Sequence, residues 1–203
     1  MLCTIITMKT KLEIFQTALC IVLMVYQLDA QQVPDNKPPV SELFQLSTEL
    51  KADYGSLSRF YWVNNSPERR ERFQVFYKDY LSKLNKVPFG PLSTSGKVDY
   101  LLIRKYLEKR LYQLSVEEKE YALLSTWIGY SDPIYELEKQ RRRGKHLDGK
   151  KVADQLNKIG KSLEEASGQI KKDKPSFSPQ LTKRAEGIIK GHQMALKNVY
   201  DFY

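Results

Sequence analysis

The sequence predicts an all-α fold, an irregular array of about six to seven helices, on three observations. Apolar residues recur three and four positions apart over most of the chain. Serine or threonine caps, two of them followed directly by proline, open several of these stretches. No alternating strand pattern and no Asn-Gly hairpin turn occurs. At 203 residues the chain is long enough to bury a real core in one domain.

The start reads differently. Lys9 and Lys11 precede an apolar run from Ile14 to Tyr26, which gives way to Gln27, Leu28 and Asp29. A membrane span needs roughly 20 apolar residues, so this run predicts a cleaved export signal rather than a stable membrane anchor, with cleavage after Ala30. Residues 1–30 are therefore assigned to a signal peptide, and the protein is expected to be exported, periplasmic or extracellular. Cleavage removes Lys9 and Lys11 together with Glu13 and Asp29, so the formal charge of +9 belongs to the mature part. Cys3 and Cys20 go with the signal, which excludes a disulfide, a thiolate metal site and a cysteine nucleophile from the mature chain. Residues 31–40 hold Pro34, Pro38 and Pro39 among polar residues and read as a linker.

The helical region is expected over residues 41–203. Ser41 caps a first helix through Tyr54, with Leu43, Phe44, Leu46, Leu50 and Tyr54 inward and Gly55 interrupting the pattern. After the aromatic segment Phe60, Tyr61 and Trp62, Ser66 and Pro67 open a second helix, whose buried face is Phe73, Phe76, Tyr77, Tyr80, Leu81 and Leu84. Pro88, Gly90 and Pro91 make a turn. Ser93 or Thr94 starts the next helix, with Val98, Leu101, Leu102, Tyr106, Leu107, Leu111 and Leu114 buried. Ser115 with Glu117 and Glu118 opens another, a break falls between Trp127 and Pro133, and Gly144 caps the helix that follows. Val152, Leu156, Ile159, Leu163, Ala166 and Ile170 form the cleanest amphipathic stripe in the chain. Ser178 and Pro179 open the last helix, carried by Leu181, Ala185, Ile188, Ile189, Leu196, Val199 and Tyr200. That helix is still running at Phe202 and Tyr203, which predicts that the sequence is the front of a longer polypeptide.

No complete catalytic constellation is present. A helical zinc site needs His-Glu-x-x-His, because positions four apart share a face. The chain has only His146 and His192, neither followed by glutamate. There is no Gly-x-Ser-x-Gly elbow and no glycine-rich phosphate loop. No catalytic, metal-binding or cofactor-binding residue is therefore assigned. The sharpest charge feature is Arg141, Arg142 and Arg143, followed by Lys145, His146, Lys150 and Lys151. Cations at a helix C-terminus complement its dipole, so a solvated cap is the ordinary reading; contact with an anion or a partner is the other. Glu117, Glu118, Glu120, Glu164 and Glu165 read as solvated faces. Phe60, Tyr61, Trp62, Tyr77 and Tyr80 are candidates to line a peptide or sugar groove, although aromatics at helical spacing are ordinarily core. Nucleic acid is not an expected partner of an exported chain.

Three segments carry a resemblance. They are Gly96-Lys97-Val98-Asp99-Tyr100-Leu101-Leu102-Ile103-Arg104 with Leu107-Glu108, Pro133-Ile134-Tyr135-Glu136-Leu137 leading into Arg141-Arg142-Arg143, and Val152-Ala153-Asp154-Gln155-Leu156. Together they resemble the N-terminal part of the bacterial family called domain of unknown function 885, whose members are exported, largely helical zinc peptidases similar to gluzincins. In that family a His-Glu-x-x-His helix and a later glutamate hold zinc, and the N-terminal helices wall the substrate cleft. The ligand motif is absent here, so no catalytic residue carries over. The resemblance implies zinc only in a longer parent, with the C-terminal catalytic part of the same polypeptide as partner and a peptide as substrate. The alternative is a complete envelope helical protein that binds an acidic or peptide partner.

Overall fold

Local sequence sets most of the helix ends. Ser66 accepts from the Arg69 amide through Oγ, with Pro67 at the first helical position. Ser93 does the same for Gly96, and Ser178 for Leu181. Each cap satisfies an amide that the helix itself cannot. The computed structural model describes residues 40–202, and the unit that begins at Ser41 contains, among the described residues, six helices and no strand. They are α1 (Phe44–Phe60), α2 (Pro67–Asn85), α3 (Thr94–Leu124), α4 (Ser131–Arg142), α5 (Gly149–Asp173) and α6 (Pro179–Phe202). The expected signal peptide, the expected cleavage after Ala30 and nearly all of the expected linker lie outside the described residues.

Two packing centres organise the array. In the first, Phe73, Phe76, Tyr77, Tyr80 and Leu84 of α2 meet Tyr100, Ile103, Leu107 and Leu114 of α3, with Leu43 and Leu50 closing one side. The α2 rings meet one another and the Tyr54 ring mostly edge-to-face or tilted, the geometry that aromatic quadrupoles favour. In the second, Ile134 and Leu137 of α4 pack with Ile159 of α5 and Ala195 and Val199 of α6. Leu124, Ile128 and Ile188 form a smaller cluster.

Several sequence expectations are corrected. Gly55 does not stop α1, which runs on to Phe60; an interior glycine costs a helix only about 1 kcal/mol, and Tyr54 and Leu57 on either side pack on the core. Phe44 is 59% exposed, whereas Leu43 is buried. Ser115 opens no new helix. It lies inside the 31-residue α3, its hydroxyl donating back to the Tyr112 carbonyl at 2.8 Å, a use of serine that leaves the helix unbroken. Val98, Leu101 and Leu102 are exposed. Tyr100, Ile103, Leu107 and Leu114 repeat at the same spacing and are the stripe that meets the α2 aromatics. Of the clean stripe on α5 only Ile159 is buried, while Leu156, Leu163 and Ile170 remain exposed. Tyr200 and Ile189 are exposed as well.

Candidate functional site

The arginines that end α4 are placed by Glu138. Residues 138, 141 and 142 share a helix face, and that face turns toward Trp62. The Glu138 carboxylate is 1% exposed. It accepts from Trp62 Nε1 at 2.7 Å and from Arg141 Nη2 and Nε at 2.7 and 2.8 Å. Arg142 Nε lies 3.7 Å from the same carboxylate. The other Arg142 nitrogens donate to Glu68 Oε2 at 2.5 Å and to the Phe60 carbonyl at 2.9 Å, beneath the Phe60 and Tyr61 rings. Arg143, half-exposed and 3.8 Å from Glu68, is the most open of the three. Glu138 and Arg142 thus join α4 to Trp62, to Glu68 at the start of α2 and to the Phe60 carbonyl at the end of α1, in place of the solvated helix cap.

A second charged assembly is concave. A pocket of about 350 Å³ opens between α1, α2, α3 and α6, lined by Tyr54, Arg69, Phe73, Tyr77, Arg110, Glu117 and Arg184 among others. Arg69 holds its guanidinium 4.3 Å from the centre of the Phe73 ring, an orientation that cation–π attraction favours. Arg110 Nη1 donates to Gln113 Oε1 at 3.2 Å. Arg184 Nε donates to Glu120 Oε2 at 2.7 Å, and its Nη1 to Asn65 Oδ1. Burial raises the Glu117 carboxyl, against the pull of Arg184, Arg70 and Arg69. Its two oxygens lie 3.6 Å from Arg70 and 3.7 Å from Arg184. Glu117 and Glu120, expected on a solvated face, are instead largely covered by these arginines. Burial also pushes the Tyr77 phenol up, so it stays neutral in the wall.

The histidines do not meet. His192 is buried, with Nε2 2.9 Å from the Tyr135 hydroxyl and its ring edge-on to Tyr130 and Tyr135. Its Nδ1 has no hydrogen-bond partner, and burial lowers its pKa to about 4. His146 is exposed on the α4–α5 connection. No group of three or more histidine, cysteine or acidic side chains that could hold a metal occurs among the described residues. The donor set on this part of the chain does not fit the zinc of the gluzincin-like pattern: the one buried imidazole is surrounded by phenols.

Sequence reading assigned no role to Arg69, Arg70, Arg110 or Arg184 and placed Glu117 on a solvated face. A signal was present. Arg69 and Arg70 precede Phe73 by four and three positions, Arg110 and Glu117 flank Leu114, and Arg184 precedes Ile188 by four. Charges that fall in register with an apolar stripe point where the stripe points. Of the aromatics proposed for a groove, Tyr77 lines this pocket, joined by Tyr54. Phe60 and Tyr61 line a separate shallow depression with Asp53 and Arg72.

Comparison of the chain with protein-family models, curated proteins and solved structures finds no match in any of the three.

Proposed function

We propose that this array is the N-terminal, cleft-forming portion of an exported zinc-dependent peptidase, recognising peptide without hydrolysing it. The observation that supports the reading is the pocket between α1, α2, α3 and α6, where tyrosine and phenylalanine walls stand beside arginines from three helices. Concave sites with mostly aromatic walls and a few convergent polar groups suit small ligands and chain ends. The test is titration calorimetry of short peptides with the full chain. Saturable binding that is weakened by Tyr54→Ala supports the reading, and absence of binding to any of them refutes it.

A second reading, an envelope helical protein that binds an acidic or peptide partner on its own, is favoured by an apolar groove elsewhere. Trp127, Ile128, Leu163, Ile170, Phe177 and Ile189 line that groove, of about 360 Å³, beside the incompletely covered stripe of α5. The two readings differ in whether peptide affinity changes when a catalytic part is joined to this chain.

A further inference from the structure

We propose that the pocket bounded by Arg69, Arg110 and Arg184 is a carboxylate subsite, holding the charged end or an acidic side chain of a peptide whose apolar neighbour rests on Tyr54, Phe73 and Tyr77. The inference rests on the peptide-recognition reading and adds the chemistry that is recognised.

Charge balance is the first support. Three arginines line the pocket against one carboxylate, Glu117. Counting the adjoining Arg70 and Glu120, which pair with Glu117 and Arg184, four cations face two anions. The cluster is therefore short of negative charge where Arg70 is buried and the three pocket arginines are partly covered, and cations withdrawn from water are held best when paired.

Hydrogen-bond accounting is the second. Arg69 Nε and Arg70 Nη1 are buried with no acceptor, and Glu117 Oε1 is buried with no donor within hydrogen-bonding geometry. Glu117 stands beyond hydrogen-bond distance from both of its cations, so it offsets their charge without saturating their donors. Arg110 gives one nitrogen to a neutral amide, Gln113, a weaker partner than a carboxylate. A planar two-oxygen anion matches the guanidinium fork. The aromatic wall beside it takes an apolar group, and the small volume suits one residue rather than an extended chain.

The experiment titrates the full chain with three probes: acetyl-Gly-Phe with a free carboxylate, its carboxamide, and acetyl-Glu-Phe-carboxamide. The free acid is expected to bind about tenfold or more tightly than its carboxamide, the scale of a hydrogen bond to a charged group. That preference should shrink in Arg110→Gln and in Gln113→Glu, both at half-exposed or exposed positions, with helicity checked by circular dichroism. If acetyl-Glu-Phe-carboxamide recovers the affinity, the site accepts an acidic side chain; if it does not, the site takes the chain terminus, and either supports the carboxylate subsite. Equal binding of acid and carboxamide overturns the subsite and leaves peptide recognition standing. A preference undiminished in both variants overturns the assignment to this pocket. Failure of all three probes to bind overturns both.

Discussion

Trp62 donates its indole N–H to Glu138 at 2.7 Å across a sequence separation of 76, and this contact fastens the segment before α2 to the middle of α4. The same carboxylate neutralises Arg141 and, at longer range, Arg142. Removing one member of a buried ion pair leaves the others uncompensated, at a cost of about 3–5 kcal/mol. Glu138→Gln keeps the shape and an acceptor but loses the charge. It is expected to destabilise the fold by roughly 2–4 kcal/mol, measured by urea unfolding. In a Trp127→Phe background, Trp62 emission should shift as its partner changes. An unaltered unfolding midpoint would show that the contact contributes nothing to stability.

Acid should weaken the fold through His192. Its pKa in the folded chain is lowered by burial to about 4, from a reference value of 6.5. The unfolded chain therefore takes up the proton first as pH falls. The contribution of the neutral ring is complete above pH 6.5 and is lost as pH falls toward 4, by an amount on the order of 3 kcal/mol. Denaturant midpoints taken from pH 7 to pH 4 should fall in the native chain and fall less in His192→Gln. Parallel slopes in the two would place the acid sensitivity elsewhere.

Two neighbouring positions of the α5 stripe predict unequal responses to truncation. Ile159 is 3% exposed and packs with α4 and α6, whereas Leu163 is 38% exposed beside the apolar groove. Ile159→Ala should cost about 2–4 kcal/mol and Leu163→Ala below about 1 kcal/mol. Thermal unfolding of the pair distinguishes a stripe buried at one point from a stripe buried along its length.

Helix ends offer a paired test of backbone conformation. Gly144 follows α4 at φ 63° and Lys174 caps α5 at φ 45°. Both are left-handed positions, where glycine is free and a side chain is strained. Gly144→Ala should destabilise by about 1 kcal/mol, and Lys174→Gly should stabilise by roughly 0.5 kcal/mol. The opposite signs are read directly from melting temperatures.

What was legible in the sequence divides by physical cause. Caps are local, so Ser66, Ser93, Ser178 and Gly144 could be read from neighbouring residues, and all four terminate or open helices where expected. Choice of face is not local. On α3 two apolar stripes compete, and only the position of α2 decides that Tyr100 and Ile103 turn inward while Leu101 and Leu102 stay in solvent. On α5 the regular pattern gave the helix correctly, yet the covering helices bury only Ile159 fully and cover Val152 and Ala166 in part. The pocket was missed because Glu117 was read by its charge as a solvated residue and Arg69 and Arg110 were given no role. Their register with Phe73 and Leu114 carries them inward, and long side chains can bury their stems while keeping charged heads together.

The most direct test of recognition without hydrolysis is to incubate the full chain with added zinc and a mixture of short peptides, following binding by calorimetry and peptide masses by spectrometry. The account predicts that peptides bearing a free carboxylate bind and that every peptide mass persists unchanged. Zinc-dependent loss of peptide at a rate proportional to protein concentration, abolished by a chelator, would contradict it.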